Sequence, residues 1–130
     1  MSPPGLVCRE SPHEVDETVR RFRAAAEAAG LTIFAEIDHD RGAAVAGLEL
    51  RPTRLIVFGN AKGGTPLMQV AQTAGIDLPL KALVWQDEAG ACRIAYNDPH
   101  WIAARHDVGA LPAIEAMTKA LADLVATAVG

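Results

Sequence analysis

The run Arg54-Leu55-Ile56-Val57-Phe58, followed by Gly59-Asn60-Ala61-Lys62-Gly63-Gly64-Thr65-Pro66, constrains this chain more than any other segment. Leu55 to Phe58 is apolar on both alternating faces, the pattern of an inner strand covered on each side. The glycines end that strand. Thr65 and Pro66 then have the side chains of a helix N-cap and first helical residue, and Leu67, Val70, Ala71 and Ala74 supply an apolar stripe that stops at Gly75. Gly59 to Gly64 therefore reads as a strand-to-helix loop, and the chain falls among architectures that pack helices on a sheet.

The flanking segments extend the pattern. Ser11, Pro12 and Glu14 match a capping box with proline at the first helical position, and Val15, Val19, Phe22, Ala26 and Ala29 recur at helical spacing up to Gly30. Thr32 to Asp38 is short and rich in β-branched residues, as a strand would be. Asp40 is placed to cap a small Ala-rich helix running to about Leu48, before Pro52 forbids continuation. Lys81 to Trp85 and Ala91 to Tyr96 flank a hairpin loop, Gln86 to Gly90. Asp98 and Pro99 start a short helix reaching about His106, and Ile114, Met117, Leu121, Leu124 and Ala128 stripe the last helix. A further short strand is placed around Leu6 to Arg9. Alternating strands and helices plus one hairpin predict an α+β fold, a single-domain α/β sandwich over residues 1–130 with a mixed sheet and flanking helices.

Composition narrows the partners. Half the residues are apolar and the net charge is −4, so disorder is excluded and a nucleic-acid-binding surface is not expected. The one dense basic run, Arg20, Arg21 and Arg23, interleaves with Asp16, Glu17 and Glu27 as a solvated helix face does. Cys8 and Cys92 lack redox or zinc spacing and read as reduced and structural. His100 and His106 are six apart, which puts them on different sides of a helix, and no metal site is expected. The first residues carry no leader pattern and no run approaches a membrane span, so the expected location is cytoplasmic, with neither membrane nor nucleic acid as partner.

Three residue groups carry candidate chemistry. The Gly59 to Thr65 loop could bind an anion through backbone N–H groups, helped by Lys62, although it lacks both the Walker A and the dinucleotide spacing. Two of the three lysines, Lys62 and Lys81, stand at strand ends beside loops, where a lysine can hold an anion or act as a base or nucleophile. His39, between Asp38 and Asp40, is a candidate acid or base. Each has a plainer reading: a tight turn with a cap, edge charges that discourage aggregation, and a surface turn.

Residues Ile37-Asp38-His39, Phe58-Gly59-Asn60, Lys62, Gly64-Thr65, Leu67-Met68, Leu78-Pro79-Leu80-Lys81 and Tyr96-Asn97 resemble, in order and spacing, the signature of the DUF302 family, a domain of unknown function with a TT1751-like α/β fold. The resemblance covers about residues 34–97, with Ala61 standing where the family commonly has proline. It implies a small α/β domain, often a homodimer, and carries no activity, cofactor or catalytic residue. It does suggest that His39, Asn60, Lys62, Thr65 and Lys81 converge on one pocket. The leading functional reading is a small anionic or polar ligand held by Asn60, Lys62, Gly63, Gly64, Thr65 and Lys81. The alternatives are an enzyme using His39 with Lys62 or Lys81, and a structural or dimerisation module without a ligand.

Overall fold

A computed structural model describes residues 2–130. Five strands, β1 (Leu6–Ser11), β2 (Thr32–Asp38), β3 (Thr53–Gly59), β4 (Leu80–Gln86) and β5 (Cys92–Asn97), form one sheet of order β1-β5-β4-β3-β2. The helices are α1 (Val15–Ala28), α2 (His39–Val45), α3 (Ala61–Val70), α4 (Pro99–Arg105) and α5 (Pro112–Val129), with a 3-10 turn over Gln72–Ile76. The α+β sandwich is as expected, but the mixed sheet is not: all four strand pairings are antiparallel. A parallel neighbour requires a crossover over the sheet face. The short α2 connects antiparallel neighbours at one end of the sheet, and α3 with the 3-10 turn does the same at the other. The one long crossover, through α1, joins β1 and β2, which lie on opposite edges.

β3 is an inner strand covered on one face only. Ile56 and Phe58 are fully buried with Ala82, Val84 and Ile94 beneath Val19, Phe22 and Ala26 of α1 and Leu121, Leu124 and Val125 of α5. The rings of Phe22 and Phe58 meet edge to face, 5.0 Å between centroids. Leu55, Val57, Leu83 and Trp85, on the other face, are half-buried and belong to neither apolar cluster, as antiparallel sheets permit. A second cluster joins Leu67 of α3 and Ala74 to Ile102 and Ala103 of α4 and Ile114 and Met117 of α5.

Two helix starts differ from expectation. Ser11 ends β1 instead of capping α1, whose first residue is Val15; its hydroxyl accepts the His13 N–H and lies 2.7 Å from Thr18 Oγ1. Thr18 in turn donates to the Glu14 carbonyl, so this buried hydroxyl pair is satisfied. In α2 the cap is Asp38, accepting from Arg41 N–H, while Asp40 accepts from Thr53 N–H and ties the helix to β3. Cys8 and Cys92 are free thiols on opposite sheet faces, since Cys8 pairs with Ala95 and Cys92 lies three residues before it.

Arg54 gathers the end of the sheet where α2 sits. Its guanidinium meets Asp16 of α1, and its Nε lies 3.2 Å from Asp38 and 3.7 Å from Asp40. Burial works against the Asp40 carboxylate, but the Thr53 N–H and the Arg54 guanidinium outweigh it and hold its pKa below the usual 3.8. A carboxylate with a depressed folded pKa stabilises above its unfolded value, and that contribution is lost as pH falls through the folded one. Asp40→Asn should thus flatten the loss of stability below about pH 4 seen in urea titrations of the native chain. Arg54→Ala, which leaves three carboxylates facing one another, should cost about 1–3 kcal/mol at neutral pH. An Arg54→Ala protein as stable as the native one would show the cluster to be ornamental.

Candidate functional site

The glycine-rich segment is the first turn of α3 and not a loop before it. Asn60, extended at φ −152°, is the N-cap, and its Oδ1 accepts the Gly63 N–H at 2.7 Å. Its carbonyl accepts the Gly64 N–H at 3.2 Å. Thr65 and Pro66, expected as cap and first residue, lie inside the helix. Asparagine ranks with the best caps, and a proline in the second turn removes one N–H bond, to the Lys62 carbonyl, while α3 remains a single helix. The consequence for anion binding is direct. Gly63 and Gly64, expected to offer donors, have both N–H groups engaged by Asn60, so the first turn presents Ala61 and Lys62 N–H instead.

Beside this turn lies a groove of about 540 Å³ between α3 and α5. Phe58 and Gly59 close its base, Leu78 to Leu80 one side, and Met117, Leu121 and Leu124 of α5 the other. Asn60, Lys62, Gly63, Gly64 and Thr65 form its polar rim. Phe34 also lines it although 54% exposed. A register shift between Ile33 and Ala35 leaves Phe34 unpaired, and such a bulge re-aims a side chain toward a site. Lys62 is the single charged residue in the lining. Among the described residues it has no ion-pair partner.

The expected convergence of His39, Lys62 and Lys81 does not occur. His39 opens α2, next to Asp38, which pairs with Arg54 at the start of β3; Lys62 follows the far end of that strand. At ~3.3 Å per residue the two ends are roughly 20 Å apart. Lys81 pairs with Val57 between Leu80 and Ala82, which face the helices, so its own side chain points to the open face of the sheet. Asn60, Lys62, Gly63, Gly64 and Thr65 do line one groove. No group of three or more metal-ligating side chains exists among the described residues.

One polar array escapes a reading by sequence neighbours. Asp77 accepts from Arg105 Nη1 at 2.9 Å and stands 2.6 Å from His106 Nε2, while His106 Nδ1 lies 2.9 Å from Thr73 Oγ1. A carboxylate only accepts, so Nε2 carries hydrogen, and the Thr73 hydroxyl partners Nδ1. This is the order of groups in a nucleophile relay. None of the four lines the groove, however, and the array clasps the 3-10 turn to α4. The sequence signal was thin: His106 stands 29 positions from Asp77 and 33 from Thr73, and only the fold joins them.

Residues 7–126 match the family described as Domain of unknown function DUF302. The chain belongs to the DUF302 family. The match extends well beyond residues 34–97, where its signature is readable. Its structure is similar to that of an uncharacterized conserved DUF302 protein from Bacillus stearothermophilus, with a TM-score of 0.77, 16% identity, and coverage of 98% of this chain and 97% of that one. At that identity the likeness concerns the fold. The chain is also 50% identical over 105 residues to proteins named Fluoride-specific ion channel FluC 1 from Brucella suis and Brucella abortus. The aligned part is 81% of this chain but 41% and 39% of those proteins, so the chain spans about two fifths of their length. No helix among the described residues of this DUF302 chain is long and apolar enough to cross a membrane.

The cap offers a local test. Asn60→Ala should cost about 0.5–2 kcal/mol in denaturant unfolding and Asn60→Asp should restore most of it. Equal stability of all three proteins would contradict Asn60 as the start of α3.

Proposed function

We propose that this DUF302 domain binds a small organic ligand with a polar or anionic end in the groove between α3 and α5. The observation that carries the reading is a single unpaired lysine on the rim of an otherwise uncharged concavity. Lys62 attracts the charged end, the Ala61 and Lys62 N–H groups receive it at the positive end of α3, and Thr65 offers a hydroxyl. Asn60 keeps the turn in shape, and Gly63 and Gly64 let a ligand lie close to the backbone. Lys81 and His39 stand outside this site, which removes the support for an enzyme built on His39. In a thermal-shift panel of organic anions, a binder at about a hundred times its Kd should stabilise by ~2.7 kcal/mol. Lys62→Gln should weaken it roughly tenfold. A panel in which nothing shifts the native protein would contradict the reading.

A second reading rests on the relatives named as fluoride channels. We propose that the domain serves beside a fluoride channel as a component outside the pore. Conduction requires segments that cross the bilayer, and no described helix does so. The groove is also a poor fluoride site, because stripping water from a small, strongly hydrated anion needs dense donors in place of leucine and methionine. Cells lacking the chain should tolerate less fluoride than cells that carry it. Equal growth across a fluoride series would contradict this role.

A further inference from the structure

The wall of the groove says more about the ligand than its rim does. We infer that the groove takes a single-chain amphiphile, an alkyl or acyl chain lying along α5 with an anionic end at Lys62. The inference rests on the reading of the groove as a ligand site. Ala113, Ala116 and Ala120 recur at three- and four-residue steps along α5 and give its side of the groove small side chains beside Leu121 and Leu124. Hydroxyls or ring nitrogens of a sugar or nucleotide laid there would lose water without gaining partners, since the polar groups of the lining are confined to the Asn60–Thr65 rim. Methylene groups lose nothing.

Size, adaptability and charge agree. A volume of about 540 Å³ lies within the ~300–1,000 Å³ of organic-ligand sites. Met68 and Met117 contribute flexible thioethers, which mould to a chain better than branched residues do. Phe34, exposed at its bulge, has apolar surface to bury when the groove fills. The single lining charge is positive in a chain of net charge −4, and it stands at the positive end of a ten-residue helix, so charge complementarity selects an anionic end over a cationic one.

The test is calorimetric titration of the full chain with acetate, phosphate, hexanoate, decanoate and decanol, all below their aggregation limits. Decanoate should saturate at one per chain, with affinity rising by up to roughly fourfold per buried methylene from hexanoate. Decanol should bind about tenfold more weakly, and Lys62→Gln should bring decanoate down to the decanol level. Ala120→Trp and Ala116→Phe, both at exposed positions of α5, should each fill the groove and abolish binding with circular dichroism unchanged. Lys62-dependent binding of acetate or phosphate with no gain from chain length would overturn the amphiphile and leave the ligand site standing. Equal affinity for decanol and decanoate would overturn the anionic end. Decanoate binding that persists in both filled variants, or binding to phosphatidylglycerol vesicles without binding to monomeric decanoate, would overturn the inference as well. No binding here and none in the organic-anion panel would remove both proposals.

Discussion

Helix α5 is the element on which both halves of the core close. Leu121, Leu124, Val125 and Ala128 press on the sheet and α1, while Ile114 and Met117 seat α3 and α4. Burying a leucine or isoleucine is worth ~1.5–3 kcal/mol, so this stripe carries much of what offsets the entropy of ordering the chain. One helix cannot fill two clusters and also meet α3 along its whole length. Ala116 and Ala120, which belong to neither cluster, face the gap, and the groove is the space left between the two helices beside the end of β3.

The molecule thus has two chemically different ends. Around Arg54, three carboxylates converge on one guanidinium and tie α1, β2 and α2 together, so the cation there is fully engaged within the fold. At the α3 end the polar groups are few, the wall is apolar and the lysine is unmatched. A cation already held by carboxylates of the fold serves as a structural tie, whereas a cation without a partner beside apolar surface is what a ligand can complete. The Asp77–His106–Thr73 array belongs with the first kind, because its partners satisfy one another and line no part of the groove.

Much of the architecture was legible from periodicity. The stripes of α1 and α5, the β4–β5 hairpin and the Asp98-Pro99 start of α4 follow directly from side-chain spacing and cap chemistry. What escaped depended on competition between local signals or on distant partners. Both Asn60 and Thr65-Pro66 are good helix starts, and the earlier one prevailed because its side chain reaches the Gly63 N–H. Strand direction was hidden, since short helices can connect antiparallel neighbours as well as parallel ones. Asn60, Lys62, Gly63, Gly64 and Thr65 were identifiable as a group from the turn alone. Lys81 lies away from the groove by one step of strand alternation, and Phe34 could not be read as lining it because a bulge carries no signature in a single sequence.

A binding site between α3 and α5, unlike a packing gap, will hold a fatty carboxylate in a fixed orientation. Nuclear Overhauser contacts between the bound carboxylate and the protein read that orientation directly. Contacts are expected from the chain methylenes to the Ala116, Ala120, Met117 and Leu121 methyl groups, with the carboxylate end nearest the Ala61 and Lys62 amides. Contacts confined to Leu55, Leu83 and Trp85 on the open face of the sheet would contradict it.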